Sequence, residues 1–477
     1  MRDYLTFIIE TINTIEANTY IVGGTVRNFI LGRTIEDIDF VICNNTHETI
    51  EKIGKALNGS YFILDEQRKT YRIHLKEYNI NLDFSEMRGN SIEEDLGYRD
   101  FTINAMAYPT HLGLPMKRGE IIDPHNGKLD LDRGIIQLVN DRALDDDPIR
   151  IMRAVRLMSQ LEFEVDEHTL EQLKGKGHLI TTIAKERIIN ELFLILAEKR
   201  SYFYLNFMDK HIKILDKLFP EVIAMKGVGE CKYHVVDSWT HSIYTLKMIE
   251  SYIYANSFFE EHIKKAYEEH TNEILAGRRT RLQLLKLGAL FHDIGKPSAR
   301  FVDKDGRVRF RGHEITGADI VKNYADDYKL SNKEKHILSK YVFSHMWPLN
   351  LYKCNDVSGK SLYEMFCETG TETLDILLIG LADIVATRKL LDPEEEMGIF
   401  KVHVEYIANN YLTRYKDVED ISKIISGKEV MNIINIPEGK EVGIILEKIR
   451  KAMFFGEISA SKEGALKYLK NMLGKKS

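Results

Sequence analysis

The sequence predicts a multidomain α+β protein, with a glycine-rich mixed head at the N-terminus and helices beyond it. Three observations carry this. Through residue 135, short β-branched and aromatic runs alternate with helical pieces among many glycines. From about 136 the glycines thin out and long helical patterns take over. From about 225 histidines become frequent in a mainly helical background. The 477 residues suit two to four domains at roughly 100–200 residues each. The composition shifts place a head at 1–135, a helical neck at 136–224, a histidine-bearing domain at 225–395 and a helical tail at 396–477.

The elements follow in order. MRDYLTFIIETINTIEA has the pattern of an amphipathic helix and lacks the layout of a signal peptide. YIVGG, IDFVI, YFIL, YRIHL and INLDF are short and rich in strand formers, and IIDP continues that style. DDDPIRIMRAVRLMSQL opens with acids and a proline, the chemistry of a helix start. KERIINELFLILAEKR is a second helix, and 262–282 is a charged stretch expected to form a solvated helix or insertion. The tail is helical, with glycine-bearing turns at SGKE and PEGKEVG. No apolar run approaches the ~20 residues of a membrane span. The four cysteines, Cys43, Cys231, Cys354 and Cys367, are widely spaced, which fits free thiols in a reducing, cytoplasmic setting. A net charge of −6 argues mildly against a nucleic-acid binder, although local arginine clusters can outweigh a total.

Chemistry concentrates first in IVGGTVRNFILGRTIEDIDFVI, residues 21–42. It reads as strand, glycine turn, helix, strand. Gly23 and Gly24 let the backbone approach a ligand, and a helix N-terminus favours phosphate. Arg27 supplies a cation for a triphosphate. Asp37 and Asp39 are two apart, so on a strand they share a face. Two such carboxylates repel each other, and a divalent cation relieves the repulsion. Mg²⁺ takes one or two carboxylates plus phosphate oxygens, and Asp83 in NLDF is a third acid able to complete the set. The pattern points to phosphoryl or nucleotidyl transfer.

SIEEDLGYRDFTINAMA adds Arg99, Asp100 and Asn104, and DDDPIRIMRAVRL adds Asp147, Arg150, Arg153 and Arg156. Arginines every three residues form a like-charged stripe that destabilises a bare helix and so favours a ligand. One acid acceptor beside one arginine donor can accept cytosine and adenine, which each present an amino group next to a ring nitrogen, and refuse uracil and guanine.

In order, GGTVRNFILG…EDIDF, EEDLGYRDFTINAMA, IIDPHNG, DDPIRIMRAVRL and KERIINEL resemble the motifs of class II tRNA nucleotidyltransferases, the CCA-adding enzymes and their bacterial poly(A) polymerase relatives. The resemblance implies a polymerase-β-like nucleotidyltransferase head followed by a helical neck. It implies Gly24 and Arg27 at the nucleotide and Asp37 and Asp39 at Mg²⁺. It further implies Arg99, Asp147, Arg150, Arg153 and Arg156 on the nucleotide, with Asp147 and Arg150 reading the base. Three departures stand out. Asn28 occupies a position where the family usually has Asp, and Asp146-Asp147 stands where it usually has Glu-Asp. Only Gly89-Asn90 separates SEMR from SIEEDL, where CCA-adding members carry a flexible loop needed for the final A. That deletion resembles the CC-adding subgroup.

His241, His292-Asp293 in FHDIGKP, His313, His345 and Asp383 resemble, in their order, the HD phosphohydrolase superfamily. Imidazoles and carboxylates together suit one or two divalent metals of unspecified identity that activate water against a phosphate ester. His313 and His345 are the weaker members, and His234 is left out of the set. The combined reading is a template-independent enzyme that adds CMP, with AMP addition open, from CTP and ATP to the tRNA 3′ end. The partners expected are tRNA, through its acceptor arm and 3′ end, and the two nucleotides, with no membrane. Two alternatives remain: a poly(A) polymerase, and an HD phosphohydrolase with a nucleotide-sensing head.

Overall fold

The computed structural model describes residues 2–35, 37–43, 46–66, 69–228, 236–255, 257–391 and 394–474. Cys231 and His234 lie outside them. Cys43, Cys354 and Cys367 are unpaired thiols. The chain divides into two compact units, Met1–Ile195 with Phe207–Leu218, and Leu196–Asn206 with Phe219–Ser477.

The first unit is built on a six-stranded sheet. Its strands are β1 (Thr19–Val22), β2 (Asp37–Ile42), β3 (Ser60–Asp65), β4 (Thr70–Leu75), β5 (Ile80–Glu86) and β6 (Ala107–Pro109), in the spatial order β3-β4-β5-β2-β1-β6. All neighbours are antiparallel except β2 and β5, which run parallel with Asp39 opposite Asp83. That register sets two acids side by side at the centre of the sheet. Helices α1 (Arg2–Ile15), α2 (Gly24–Ile30), α3 (Thr46–Ala56) and α4 (Ile92–Gly97) accompany the strands. Val22, Val41, Ile92, Leu96, Ala105 and Ala107 form a buried cluster that joins β1, β2, α4 and β6. IIDP is not a strand: Ile122 makes only an isolated two-bond bridge to Ala107, because the chain turns away after it. The neck helices Arg150–Leu161 and Lys185–Leu196 fall where expected. Arg150 starts the first, two residues after Pro148.

The second unit is helical. Thr373–Leu391 is apolar nearly all round, the pattern of a helix that buries every face, and Leu374, Ile376, Leu377, Leu378, Ile379, Leu381 and Ala382 are buried. The charged stretch 262–282 differs from expectation. The helix Glu261–Thr271 buries Ile263, Tyr267 and Thr271, a short hairpin follows, and Arg281 is 2% exposed. Arg281 is held by Asp375 at 3.0 Å and by Glu273, so much of this charge is paired internally. In the tail, the glycines after Ser426 and before Lys440 sit at helix starts, and Ser426 closes a capping box with Glu429.

Candidate functional site

Two centres emerge, one inside each unit. In the first, Gly23 has φ +67°, and a Cβ there would lie 3.2 Å from Arg99 Nη1 and 3.4 Å from Asp39 Oδ2. The glycine lets an acid and an arginine meet at the turn, a close approach a side chain would block. Thr25 ties the turn to β2: its Oγ1 accepts from the Asp39 amide at 3.0 Å and donates to the Asp37 carbonyl at 3.4 Å. Asp37 accepts from Asn81 Nδ2 at 3.0 Å. Asp83 is engaged by a two-pronged pair from Arg72, both bonds 2.7 Å. Burial pushes the Asp39 carboxyl up to about 6; Arg99 draws it back, while Asp83 and Asp37 add to the rise. A carboxylate this poorly compensated suits a hard dication. Asp37 and Asp39 fit such an ion better than Asp83, whose charge Arg72 already meets.

A polar chain then links the sequence blocks. Arg27 Nη1 donates to Asn104 Oδ1 at 2.7 Å, Asn104 Nδ2 donates to Asp100 Oδ1 at 3.1 Å, and Asp100 Oδ2 lies 3.2 Å from Arg153 Nη1. Arg156 and Arg153 flank Glu191, at 2.9 and 3.9 Å. Burial, then the neighbouring Arg156, lowers Arg27 to about 10. Arg27 also grips Asn28 Oδ1 through Nε and Nη2, so the departure from Asp keeps the contact and drops its charge. The arginine stripe is therefore not an uncompensated basic face: Asp100 and Glu191 are interleaved with it.

Asp147 and Arg150 are engaged by different neighbours. Asp147 is held by Arg187 at 2.7 Å. Arg150 donates to the carbonyls of Ala143 and Tyr98 at 3.0 and 2.6 Å, and its buried Nε has no hydrogen-bond partner. Arg99 pairs with Asp95 at 3.2 Å. The residues that sequence reasoning passed over are thus Thr25, Arg72, Asn81, Arg187 and Glu191. Arg187 and Glu191 stand four apart in KERIINEL, a spacing that puts both on one helix face and was the available signal.

The second centre gathers all six residues expected of it. His241 and His292 approach Asp383 Oδ1 through Nε2 at 2.8 and 3.7 Å, and approach Asp293 Oδ2 at 3.7 and 3.3 Å. His313 and His345 approach Asp293 Oδ1 at 3.3 and 3.9 Å, with their Nε2 atoms 3.2 Å apart. Two donor groups therefore share Asp293: His241, His292, Asp293 and Asp383, and Asp293, His313 and His345. Nδ1 of His292, His313 and His345 meets the carbonyls of Ala289, Phe310 and Val342 at 2.7, 2.8 and 2.6 Å. Such bonds hold the proton on Nδ1 and leave Nε2 free to ligate. His292 Nε2 is buried without a hydrogen bond, a donor atom whose environment fits a metal. Burial works against protonating His292, but Asp293 and Asp383 outweigh it and lift the imidazole to about 10; burial, with His313 and His292 nearby, drops His345 to about 3. Lys296, also unforeseen, contacts Asp293 Oδ2.

Comparison with known proteins finds three family matches along the chain. Residues 19–137 match the poly A polymerase head domain, 162–226 the probable RNA and SrmB-binding site of polymerase A, and 273–365 the HD domain. The chain is 28% identical to the CC-adding tRNA nucleotidyltransferase of Thermus thermophilus over 93% of its own length and 91% of that protein. It is 26% identical to the A-adding enzyme of Deinococcus radiodurans over 93% of each. Over 38% of the chain, and 45% of the relative, it is 40% identical to the CC-adding enzyme of Halalkalibacterium halodurans. The fold is like that of a CCA-adding enzyme of Thermotoga maritima solved with tRNA, with TM-score 0.60 at 22% identity over 99% of this chain and 95% of that one.

Proposed function

We propose that the chain is a tRNA nucleotidyltransferase of the CCA-adding and bacterial poly(A) polymerase type with an HD domain, and that it adds CMP to the 3′ end of tRNA; its matches to the poly A polymerase head, the RNA-binding segment and the HD domain, and its likeness to CC-adding enzymes, support this. The observation that carries the reading is the meeting of Gly23, Asp39 and Arg99 at one turn, with Asp83 in register beside Asp39. The tRNA 3′-hydroxyl attacks the α-phosphate of CTP or ATP and pyrophosphate leaves. Asp37 and Asp39 would hold Mg²⁺, which when bound would supply Lewis-acid activation of the hydroxyl and charge neutralisation for the pyrophosphate. Arg27 and the stripe arginines orient the phosphates. Asp147, fixed by Arg187, accepts from the exocyclic amino group of C or A. Arg150 Nε, the donor left without a partner, serves the adjacent ring nitrogen.

The link between β5 and α4 supports CC addition without A. Arg88 and Asn90 donate their amides to Asp95 and Glu94 at 3.0 and 2.8 Å, Ser91 caps α4, and Gly89 has φ +85°. It is a closed turn with no length to swing into the nucleotide site. The HD centre supports a companion hydrolase of phosphate esters with a divalent metal. Cytoplasm, where tRNA is matured and thiols stay reduced, is the corresponding place.

Three tRNA transcripts, ending before CCA, after one C and after CC, test this with CTP, ATP or both. Addition of two C and no A is the expected result. A completed CCA would overturn the inference from the short link, addition of A alone to the transcript ending in CC would overturn C addition in favour of A addition, and no nucleotide added to any transcript would overturn the transfer reading.

A further inference from the structure

Between the two halves of the HD centre, the chain leaves the fold as a small ribbon. Phe301–Val302 pairs antiparallel with Val308–Arg309. Residues 300–312 contain five basic and two acidic residues, net +3, in a chain whose formal net charge is −6. The acids do not cancel the cations evenly. Asp303 is used by the turn: its carboxylate accepts from the amides of Asp305 and Arg307 at 3.0 and 2.9 Å and from Arg309 Nε at 2.9 Å. Arg300, Lys304, Arg307 and Arg311 are exposed. Phe301 and Val302 are 40% and 55% exposed beside them.

The ribbon is rooted at the centre. Its first strand follows Lys296, which contacts Asp293, and its second ends at Phe310, whose carbonyl meets His313 Nδ1 at 2.8 Å. Lys296 Nζ stands 5.7 Å from the Phe310 ring centroid. Of the six candidate ligands, His313 and Asp383 are the least buried, at 6% and 8% against 0–2% for the others. His313, the more exposed end of its donor pair, is thus the one the ribbon leads into. Cations that track a backbone beside aromatic surface that stacks bases are the chemistry of single-stranded nucleic-acid binding.

We propose that the Arg300–Arg311 hairpin is a binding element for single-stranded RNA that delivers a 3′ end to the HD centre. The inference rests on the hydrolase reading above. The strand's phosphates meet Lys304, Arg307 and Arg311, and its terminal bases lie against Phe301.

The test uses the full chain, loaded with Mn²⁺ or Co²⁺, and a 12-nucleotide RNA ending in a 3′-phosphate, which the head cannot extend. A small phosphate monoester serves as reference substrate. Combined Lys304→Gln, Arg307→Gln and Arg311→Gln should lower kcat/KM for the RNA about tenfold relative to the small ester, and reduce the slope of log affinity against log salt by about 2. In the metal-free protein, the same RNA carrying a terminal 4-thiouridine should photo-crosslink within residues 300–312. An unmoved ratio with no crosslink there overturns the hairpin's role while leaving the hydrolase standing. A wild-type chain that hydrolyses neither substrate overturns the hydrolase reading and this inference together. Equal competition by a free mononucleotide would replace the strand by a nucleotide and overturn the proposal as well.

Discussion

At the scale of single residues, the transfer centre is governed by which charges have partners. Asp147 could only read a base reproducibly if its carboxylate were fixed, and Arg187 fixes it at 2.7 Å. Arg187→Ala leaves the acid in place and removes its orientation. A hydrogen bond to a charged group contributes about 1.5–3 kcal/mol, so kcat/KM for CTP should fall by about 10- to 100-fold, with preference for CTP over UTP falling too. Steady-state kinetics with the two nucleotides check this, and a uniform loss for both would assign Arg187 to phosphate binding instead. The sequence showed Arg187 only as a letter in a motif. Its partner is 40 positions away, and no spacing rule reaches that far. Asp37, Asp39 and Arg27 were legible because the turn, the helix and the strand that carry them are contiguous, so period-2 alternation and a glycine pair were sufficient.

Elements impose a different kind of constraint, which is close approach. Gly295 follows the His-Asp pair, and a Cβ on it would stand 2.1 Å from the His313 carbonyl and 2.5 Å from the Gly317 amide nitrogen. The backbone of the HD turn therefore packs directly on the first turn of the helix His313–Asp327. Gly295→Ala must push that turn outward. Overpacking of this kind typically costs about 1–3 kcal/mol, and His313 would leave Asp293 before the helix unfolds. Metal content measured by mass spectrometry should drop while helicity by circular dichroism persists; an unchanged content would show that the turn absorbs the methyl. In the neck, Glu191 lies between Arg153 and Arg156. Glu191→Ala takes its carboxylate from Arg156, while Arg153 keeps Asp100. Removing one member of a buried pair costs about 3–5 kcal/mol, and partial exposure of Arg156 reduces this to about 2–3 kcal/mol. The midpoint of urea unfolding should fall accordingly. Charge spacing along one helix suggested an unmet cationic stripe, because the second helix that meets it cannot be seen from the first. The charged stretch 262–282 misled for the same reason: Asp375, which pairs Arg281, is 94 positions away.

For the molecule as a whole, the sequence made both centres recognisable but could not say whether each was complete. His313 and His345 are the weaker ligands in the sequence, and only folding brings their Nε2 atoms to 3.2 Å and both to Asp293. Each centre now draws every one of its residues from a single compact unit, so neither needs the other's side chains to be formed. On that basis nucleotide transfer and the proposed hydrolysis are predicted to be separable. Asp37→Ala with Asp39→Ala should abolish nucleotide incorporation into tRNA and leave phosphate-ester hydrolysis within about twofold. Asp293→Ala removes the one carboxylate common to both donor groups and should abolish hydrolysis while C addition continues. Incorporation is read from labelled CTP on tRNA ending in a free 3′-hydroxyl, and hydrolysis from phosphate released by a small phosphate monoester, so neither assay depends on the other reaction. Incorporation surviving the head substitutions would displace Asp37 and Asp39 from the site. If Asp293→Ala silenced both reactions while the chain remained folded, the two centres would be parts of one machine and not two tools on one chain.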